Sequence, residues 1–118
     1  MGPVVAIDDN EDILELLEML VTSEGFEIKT FKDGSEAHSF ILANKPSAII
    51  TDQNLPGKTG IEILNDAHEK YGEILAFLIS GEPRHLLIEG GCPQFVTILG
   101  KPFDTNDIIH KLSELKSE

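Results

Sequence analysis

The strongest constraint on this chain is a regular alternation between short apolar runs and amphipathic stretches. The apolar runs occupy residues 4–7, 27–31, 48–51, 74–79 and 95–99 and are rich in valine, isoleucine and leucine. Short strands of this composition are typical of a parallel sheet that helices cover on both faces. The alternation therefore predicts a single doubly wound α/β domain with five strands and five helices.

The stretches between these runs carry helix signals. Asn10 suits the N-cap of a first helix that Gly25 ends, and Pro83 suits the first turn of a short fourth helix over residues 84–89. Asp104 is placed to cap the last helix, with Asp107 as a box-like partner. Helical spacing predicts the core-facing residues of the four longer helices: Ile13, Leu16, Leu17 and Leu20; Ala37, Phe40 and Ile41; Ile63, Leu64, Ala67 and Tyr71; and Ile108, Ile109, Leu112 and Leu115.

Size and charge limit the function classes that are open to the chain. With 118 residues, 41% of them apolar, one globular domain over residues 1–118 is expected. The net charge of −12 disfavours nucleic acids and anionic membranes but permits divalent cations and basic partner surfaces. Cys92 is the single cysteine, so an internal disulfide is excluded and a reducing, cytoplasmic setting is expected. A signal peptide and a membrane span of roughly 20 apolar residues are not expected.

Polar residues follow four of the five predicted strands. Asp8 and Asp9 follow the first strand, Asp52 the third, Ser80 the fourth and Lys101 the fifth. Because open α/β sheets bind ligands at the carboxyl ends of their strands, these side chains are expected to converge. Grouped carboxylates suit Mg²⁺, and a carboxylate can also accept a phosphoryl group whose other oxygens a lysine and a hydroxyl hold.

Four motifs in this order give the chain a family resemblance. They are "IDDNED" at the first strand, "TDQNLPGKTG" at the third, "ISG" at the fourth and "GKPF" at the fifth. Together they resemble the receiver domain of two-component response regulators, and the resemblance covers essentially the whole chain. It implies a flavodoxin-like (βα)5 fold, with a five-stranded parallel sheet in the order 2-1-3-4-5 and helices on both faces.

The resemblance implies a role for each site residue. Asp52 would be the phosphoacceptor that forms an aspartyl phosphate, and Lys101 would pair with the phosphoryl oxygens. Mg²⁺ would be held by Asp9 directly, by Asp8 through water, by Asp52 and by the backbone carbonyl of Asn54. The family's cis peptide bond would lie at Lys101-Pro102.

The switch and the lifetime of the phosphoryl group are also implied. Ser80 would be the hydroxyl that moves to the phosphoryl group. Asn54 and Glu82 lie two positions past Asp52 and Ser80 and would tune how long the group lasts. A polar Asn54 beside an acidic Glu82 should orient an attacking water, which predicts a relatively short-lived phosphoryl group.

The chain departs from the family pattern along its last two strands. Ile98 stands where the family usually has an aromatic residue three positions before the lysine, which puts the aromatic half of the switch in question. Gly81 replaces the usual alanine after the switch hydroxyl. The short fourth helix suggests that the usual partner-docking face is used differently, or that the first helix replaces it.

These features predict a phosphorylation-controlled signalling module of a two-component phosphorelay. A histidine kinase or phosphotransfer protein would donate the phosphoryl group, and a downstream effector or an output domain would respond. The chain would be no enzyme beyond its own Mg²⁺-dependent phosphorylation and autodephosphorylation. It ends soon after the fifth predicted helix, so no output domain is expected within it, and it is either a stand-alone regulator or a receiver from a larger protein.

Three alternatives compete with this interpretation. A degenerate receiver would act as a docking module without phosphorylation, and the missing aromatic residue favours it. A phosphatase with an aspartyl-phosphate intermediate would usually carry an Asp-x-Asp motif after the first strand and a cap domain. A flavin site would need a hydroxyl-rich loop after the first strand, where "DDNED" would repel phosphate instead, so no organic cofactor is expected.

Overall fold

A computed structural model describes residues 2–117. Within this range no helix is both long and apolar enough to cross a membrane. Strands and helices alternate as the sequence pattern predicts. The elements are β1 (Val4–Ile7), α1 (Glu11–Ser23), β2 (Ile28–Phe31), α2 (Gly34–Ala43), β3 (Ala48–Asp52), α3 (Gly60–Tyr71), β4 (Leu75–Ser80), α4 (Arg84–Glu89), β5 (Thr97–Gly100) and α5 (Thr105–Ser117).

The five strands form one parallel sheet in the order β2-β1-β3-β4-β5. This order confirms the predicted fold class. In the register, Val4 of β1 lies between Ile28 and Ala48, and Asp52 of β3 lies beside Ile79 of β4. Because all strands run the same way, their carboxyl ends lie along a single edge.

The core has two layers, one on each face of the sheet. Alternate residues of β1 point to opposite faces: Val4 and Ala6 belong to the layer under α1 and α5, and Val5 and Ile7 to the layer under α2, α3 and α4. All four residues are fully buried. Burial on both faces explains why the strands are continuous apolar runs rather than alternating ones.

The buried face of α1 differs from the predicted one. Leu17 and Leu20 are buried as expected, but Leu16 is 41% exposed, and Leu14 and Val21 are buried in addition. Both sets fit helical spacing, so periodicity alone could not choose between them. The packing of α1 on the sheet makes the choice, and Leu16 lines a cleft at the carboxyl edge.

Smaller differences concern the ends of several elements. The strand β4 starts at Leu75 and includes Ser80, and β5 starts at Thr97 rather than at residue 95. Phe95 lies before β5, where its ring packs 4.8 Å from the ring of His68. At the start of α5, Asp104 Oδ1 accepts a hydrogen bond from the backbone N–H of Asn106 at 2.9 Å. The expected side-chain partner Asp107 instead donates its backbone N–H to the carbonyl of Asp104.

Candidate functional site

The structure places all five predicted site side chains at the carboxyl edge of the sheet. Asp8 and Asp9 directly follow β1, Asp52 and Ser80 are the last residues of β3 and β4, and Lys101 directly follows β5. Asp8, Asp52 and Ser80 are buried, whereas Asp9 and Lys101 are exposed. The site therefore has a buried floor and a charged rim.

Three carboxylates form the centre of the site. One oxygen from each of Asp8, Asp9 and Asp52 lies within 4.8 Å of the other two. Asp8 is held locally, because its Oδ1 accepts a hydrogen bond from the backbone N–H of Asn10 at 2.9 Å. Asn10 in turn caps α1, since its side chain accepts from the backbone N–H of Asp12. The N-terminal turn of α1 thus positions the first carboxylate.

Burial raises the pKa of Asp8 above its ordinary value of 3.8. The neighbouring charges of Asp52 and Asp9 act in the same direction, because each disfavours a further negative charge. The hydrogen bond from Asn10 and the positive charge of Lys101 oppose this shift. The carboxylates of the cluster therefore repel one another, and a bound cation would relieve this repulsion.

Lys101 provides one positive charge for the cluster. Its Nζ lies 3.1 Å from Oδ1 of Asp52, whose side chain is only 5% exposed. That oxygen is buried, and among residues 2–117 no donor reaches it with hydrogen-bond geometry, so the contact with Lys101 is an ion pair. The peptide bond Lys101-Pro102 is cis, as the resemblance predicted.

This donor set fits a hard divalent cation. Such ions take oxygen ligands and prefer carboxylates with positions left for water or phosphate. Three carboxylates within reach of one another and a buried oxygen without a hydrogen-bond donor supply these ligands.

The site borders a cleft of about 610 Å³. Its acidic wall is formed by Asp8 and Asp9, and its apolar wall includes Leu16 and Phe103. Leu16 is exposed, although the sequence pattern predicts it to be buried, because it lines this cleft.

Ser80 forms the other side of the site. It is 1% exposed, and its Oγ accepts a hydrogen bond from the backbone N–H of Glu82 at 3.0 Å. The side chain of Glu82 is exposed, and a Cβ on Gly81 would meet nothing within 4 Å. The segment that follows Ser80 is therefore open and loosely packed.

Ile98 occupies the place of the expected aromatic ring. It lies in β5 beside Leu78 of β4 and packs, partly buried, against the core layer under α2, α3 and α4. An aliphatic side chain at this point has no hydroxyl and no ring that could exchange between two positions.

Asn54 is exposed in the loop between β3 and α3. Its neighbour Gln53, which the sequence analysis did not single out, is bonded on three sides. The backbone N–H of Gln53 donates to the carbonyl of Ile79 at 3.1 Å, and its own carbonyl accepts from the N–H of Gly60 at 3.1 Å. Its side-chain Oε1 accepts from the N–H of Ile61 at 2.9 Å. The only sequence signal was a long amide side chain directly after Asp52.

Comparison with known proteins identifies the family. The family model described as "Response regulator receiver domain" matches residues 4–113. The chain belongs to the response regulator receiver family. It is therefore a receiver domain of the kind found in two-component systems.

Solved structures of other receivers share the fold. The chemotaxis response regulator CheY4 of Vibrio cholerae is 25% identical with a TM-score of 0.82, and the match covers 98% of each chain. The receiver domain of Francisella response regulator 1452 is 22% identical with a TM-score of 0.83, covering 99% of this chain and 98% of that one. A response regulator receiver protein of Sinorhizobium medicae is 22% identical with a TM-score of 0.87, covering 98% and 94%.

Proposed function

We propose that this receiver accepts a phosphoryl group on Asp52 from a histidine kinase or phosphotransfer protein. The observation that carries the proposal is the environment of Asp52: a buried carboxylate paired with Lys101 and grouped with two further carboxylates. One oxygen of Asp52 attacks phosphorus, and the bond between phosphorus and the donor nitrogen breaks. The electron pair of that bond leaves with the nitrogen, which takes up a proton.

Each further residue has a distinct role in this step. Lys101 holds a negatively charged phosphoryl oxygen, since it already lies 3.1 Å from Asp52. Ser80 offers its hydroxyl to the phosphoryl group once that hydroxyl leaves its contact with Glu82. This movement links phosphorylation to the segment after β4 and thus to α4.

Asp8, Asp9, Asp52 and the backbone carbonyl of Asn54 would hold Mg²⁺. When bound, the ion neutralises charge on the transferring phosphoryl group. Asp8 is the best shielded of the carboxylates that flank Asp52, at 2% exposed, whereas Asp9 faces the solvent. This contrast supports a direct role for the accessible Asp9 and a supporting role for Asp8.

The receiver would act in the cytoplasm as a signalling module rather than as an enzyme with a separate substrate. Its self-catalysed reactions would be phosphorylation and the hydrolysis that ends the signal, with Asn54 and Glu82 setting the lifetime. The partner that reads the phosphorylated state is an effector protein or an output domain.

The test is the intact mass of the protein after incubation with phosphoramidate or acetyl phosphate. The expected result is the gain of one phosphoryl group that depends on Mg²⁺ and is absent in Asp52→Asn. Asp107→Asn, an exposed aspartate on α5, is the matched control and should be labelled like wild type. Failure to label the wild type, together with no binding of beryllofluoride, would overturn the proposal and favour a receiver that acts by docking alone.

A further inference from the structure

Gln53 connects the phosphoacceptor strand with the first turn of α3. Through its backbone it bonds to Ile79 of β4 and to Gly60, the first residue of α3. Through its side chain it accepts the N–H of Ile61, the second residue of α3. One residue next to Asp52 thus meets a neighbouring strand and two backbone groups of a helix.

The cap of α3 does not require this arrangement. Thr59 is the N-cap, and its Oγ1 accepts from the backbone N–H of Glu62 at 3.2 Å. The side chain of Glu62 returns the bond to the N–H of Thr59 at 3.0 Å, which completes a capping box. The hydrogen bond that Ile61 donates to Gln53 is therefore an additional link, and it spans eight residues.

The start of α3 also lies close to the backbone of Asp52. A Cβ added to Gly60 would lie 2.6 Å from the backbone carbonyl oxygen of Asp52 and 2.7 Å from Leu78. The same carbonyl accepts a hydrogen bond from the hydroxyl of Thr51 at 2.9 Å. A shift of α3 relative to β3 would therefore move the backbone of the phosphoacceptor itself.

We infer that Gln53 is a positioning residue for phosphoryl transfer. Its amide ties the loop after Asp52 to α3, so that the carboxylate of Asp52 and the carbonyl of Asn54 keep one geometry. The inference rests on the proposed phosphorylation of Asp52. Small misplacements of reacting groups slow reactions strongly. The loss of this hydrogen bond should therefore slow phosphorylation by more than the accompanying loss of stability explains.

Three variants separate positioning from support of the helix. Gln53→Met keeps the length of the side chain but removes the acceptor, Gln53→Glu keeps an acceptor for Ile61, and Thr59→Ala removes the other cap of α3. For each one we would measure the melting temperature and the phosphorylation rate with phosphoramidate as a function of Mg²⁺ and donor concentration. Hydrogen exchange at the amide of Ile61 reports whether its hydrogen bond to residue 53 is present.

Gln53→Met should lower the maximal rate by about tenfold, within the range that misplacement of about 1 Å can cause. Its half-saturating donor concentration should stay close to the wild-type value. Gln53→Glu should recover the rate to within about threefold of wild type, and Thr59→Ala should keep it within about twofold despite a comparable loss of thermal stability.

Two results would overturn the inference. One is a wild-type rate in Gln53→Met with faster exchange at Ile61, and the other is an equal loss of rate in Gln53→Met and Thr59→Ala. If the wild type itself takes up no phosphoryl group, the proposed function fails and the inference falls with it. If the wild type is labelled normally, either of the two results refutes the inference and leaves the proposed function standing.

Discussion

The two halves of the carboxyl edge are built differently. The acid half, at the ends of β1 and β3, holds its residues with specific contacts: Asn10 bonds to Asp8, Lys101 forms an ion pair with Asp52, and Ile61 of α3 bonds to Gln53. The switch half, at the end of β4, places Ser80 before an open glycine and a helix of six residues. That helix has no side-chain cap at its N-cap Pro83.

The difference also extends to packing. The helix α3, on the acid half, buries Ile61, Ile63, Leu64 and Ala67, whereas α4 buries only Leu87. Two other large apolar residues of α4, Leu86 and Ile88, are 47% and 49% exposed. A reacting group must be held in place, and a segment that changes state must be held weakly, so the contrast fits the acceptor and switch roles proposed above.

Removing one core leucine from each half tests this contrast most strongly. Leu64→Ala in α3 should lower the free energy of unfolding by about 4 kcal/mol, because its closed surroundings leave a cavity. Leu87→Ala in α4 should cost about 2 kcal/mol, since a weakly held helix relaxes into the gap more easily. Chemical denaturation measures both.

Leu86→Ala is the matched control within α4 and should change stability by about 0.5 kcal/mol or less, because its side chain is exposed. Equal losses for Leu64→Ala and Leu87→Ala would contradict a difference in packing between the two halves.

The second prediction concerns the charge of the acid half. Because the pKa of Asp8 is raised above 3.8, the folded chain keeps a proton on Asp8 at pH values where the unfolded chain has lost it. The contribution of Asp8 to the free energy of unfolding should therefore rise as the pH falls through the raised pKa toward 3.8. Above the raised pKa the buried charge is a persistent cost.

Asp8→Asn should remove that cost and stabilise the protein at neutral pH by about 1 kcal/mol in the absence of Mg²⁺. It should also lose this part of the pH dependence. Urea denaturation with a chelator, from acidic to neutral pH, measures both effects. Asp9→Asn should gain less stability, since Asp9 is exposed. A variant Asp8→Asn that is less stable than wild type would show that other contacts fully offset the cost of burying the Asp8 charge.

The smallest predicted effect concerns the lifetime of the phosphoryl group and shows which half controls the attacking water. Asn54→Arg alters the acid half, and Glu82→Lys alters the switch half. A bulkier or basic side chain at either place should lengthen the lifetime of the phosphoryl group by about threefold, much less than the loss of a general base would cause.

The decay of the phosphorylated protein in mass spectra after donor removal gives the lifetime. An unchanged decay in both variants would refute the roles of Asn54 and Glu82. A change in only one would assign the control to that half.

The sequence predicted the fold, and it predicted which polar side chains the structure groups at the carboxyl edge. Short apolar strands alternating with helices permit few parallel arrangements, because crossovers in such sheets are right-handed. The sequence also groups five polar residues at one edge, because each one ends or follows a parallel strand: Asp8, Asp9, Asp52, Ser80 and Lys101. The short α4 was also predictable, since Pro83 and Gly90 bracket only six helical residues.

What remained hidden depends on contacts between distant residues. Leu16 and Leu14 both fit the helical period of α1, and only the packing of that helix on the sheet exposes one and buries the other. Gln53 carries no local signal for the bond that it makes to Ile61, because the partner comes near only after β3, the loop and α3 are in place.

By itself, the sequence determined that the strands form a parallel sheet and which residue types stand at its carboxyl edge. Both follow from the pattern of apolar runs and from the residues that directly follow each run along the chain. Only the tertiary structure decided that Asp8 is buried while Asp9 is exposed, that Lys101 pairs with Asp52, and that the acid half is bonded more tightly than the switch half. Burial, pairing and tightness are set by which atoms meet across the fold, and spacing along the chain does not contain that information.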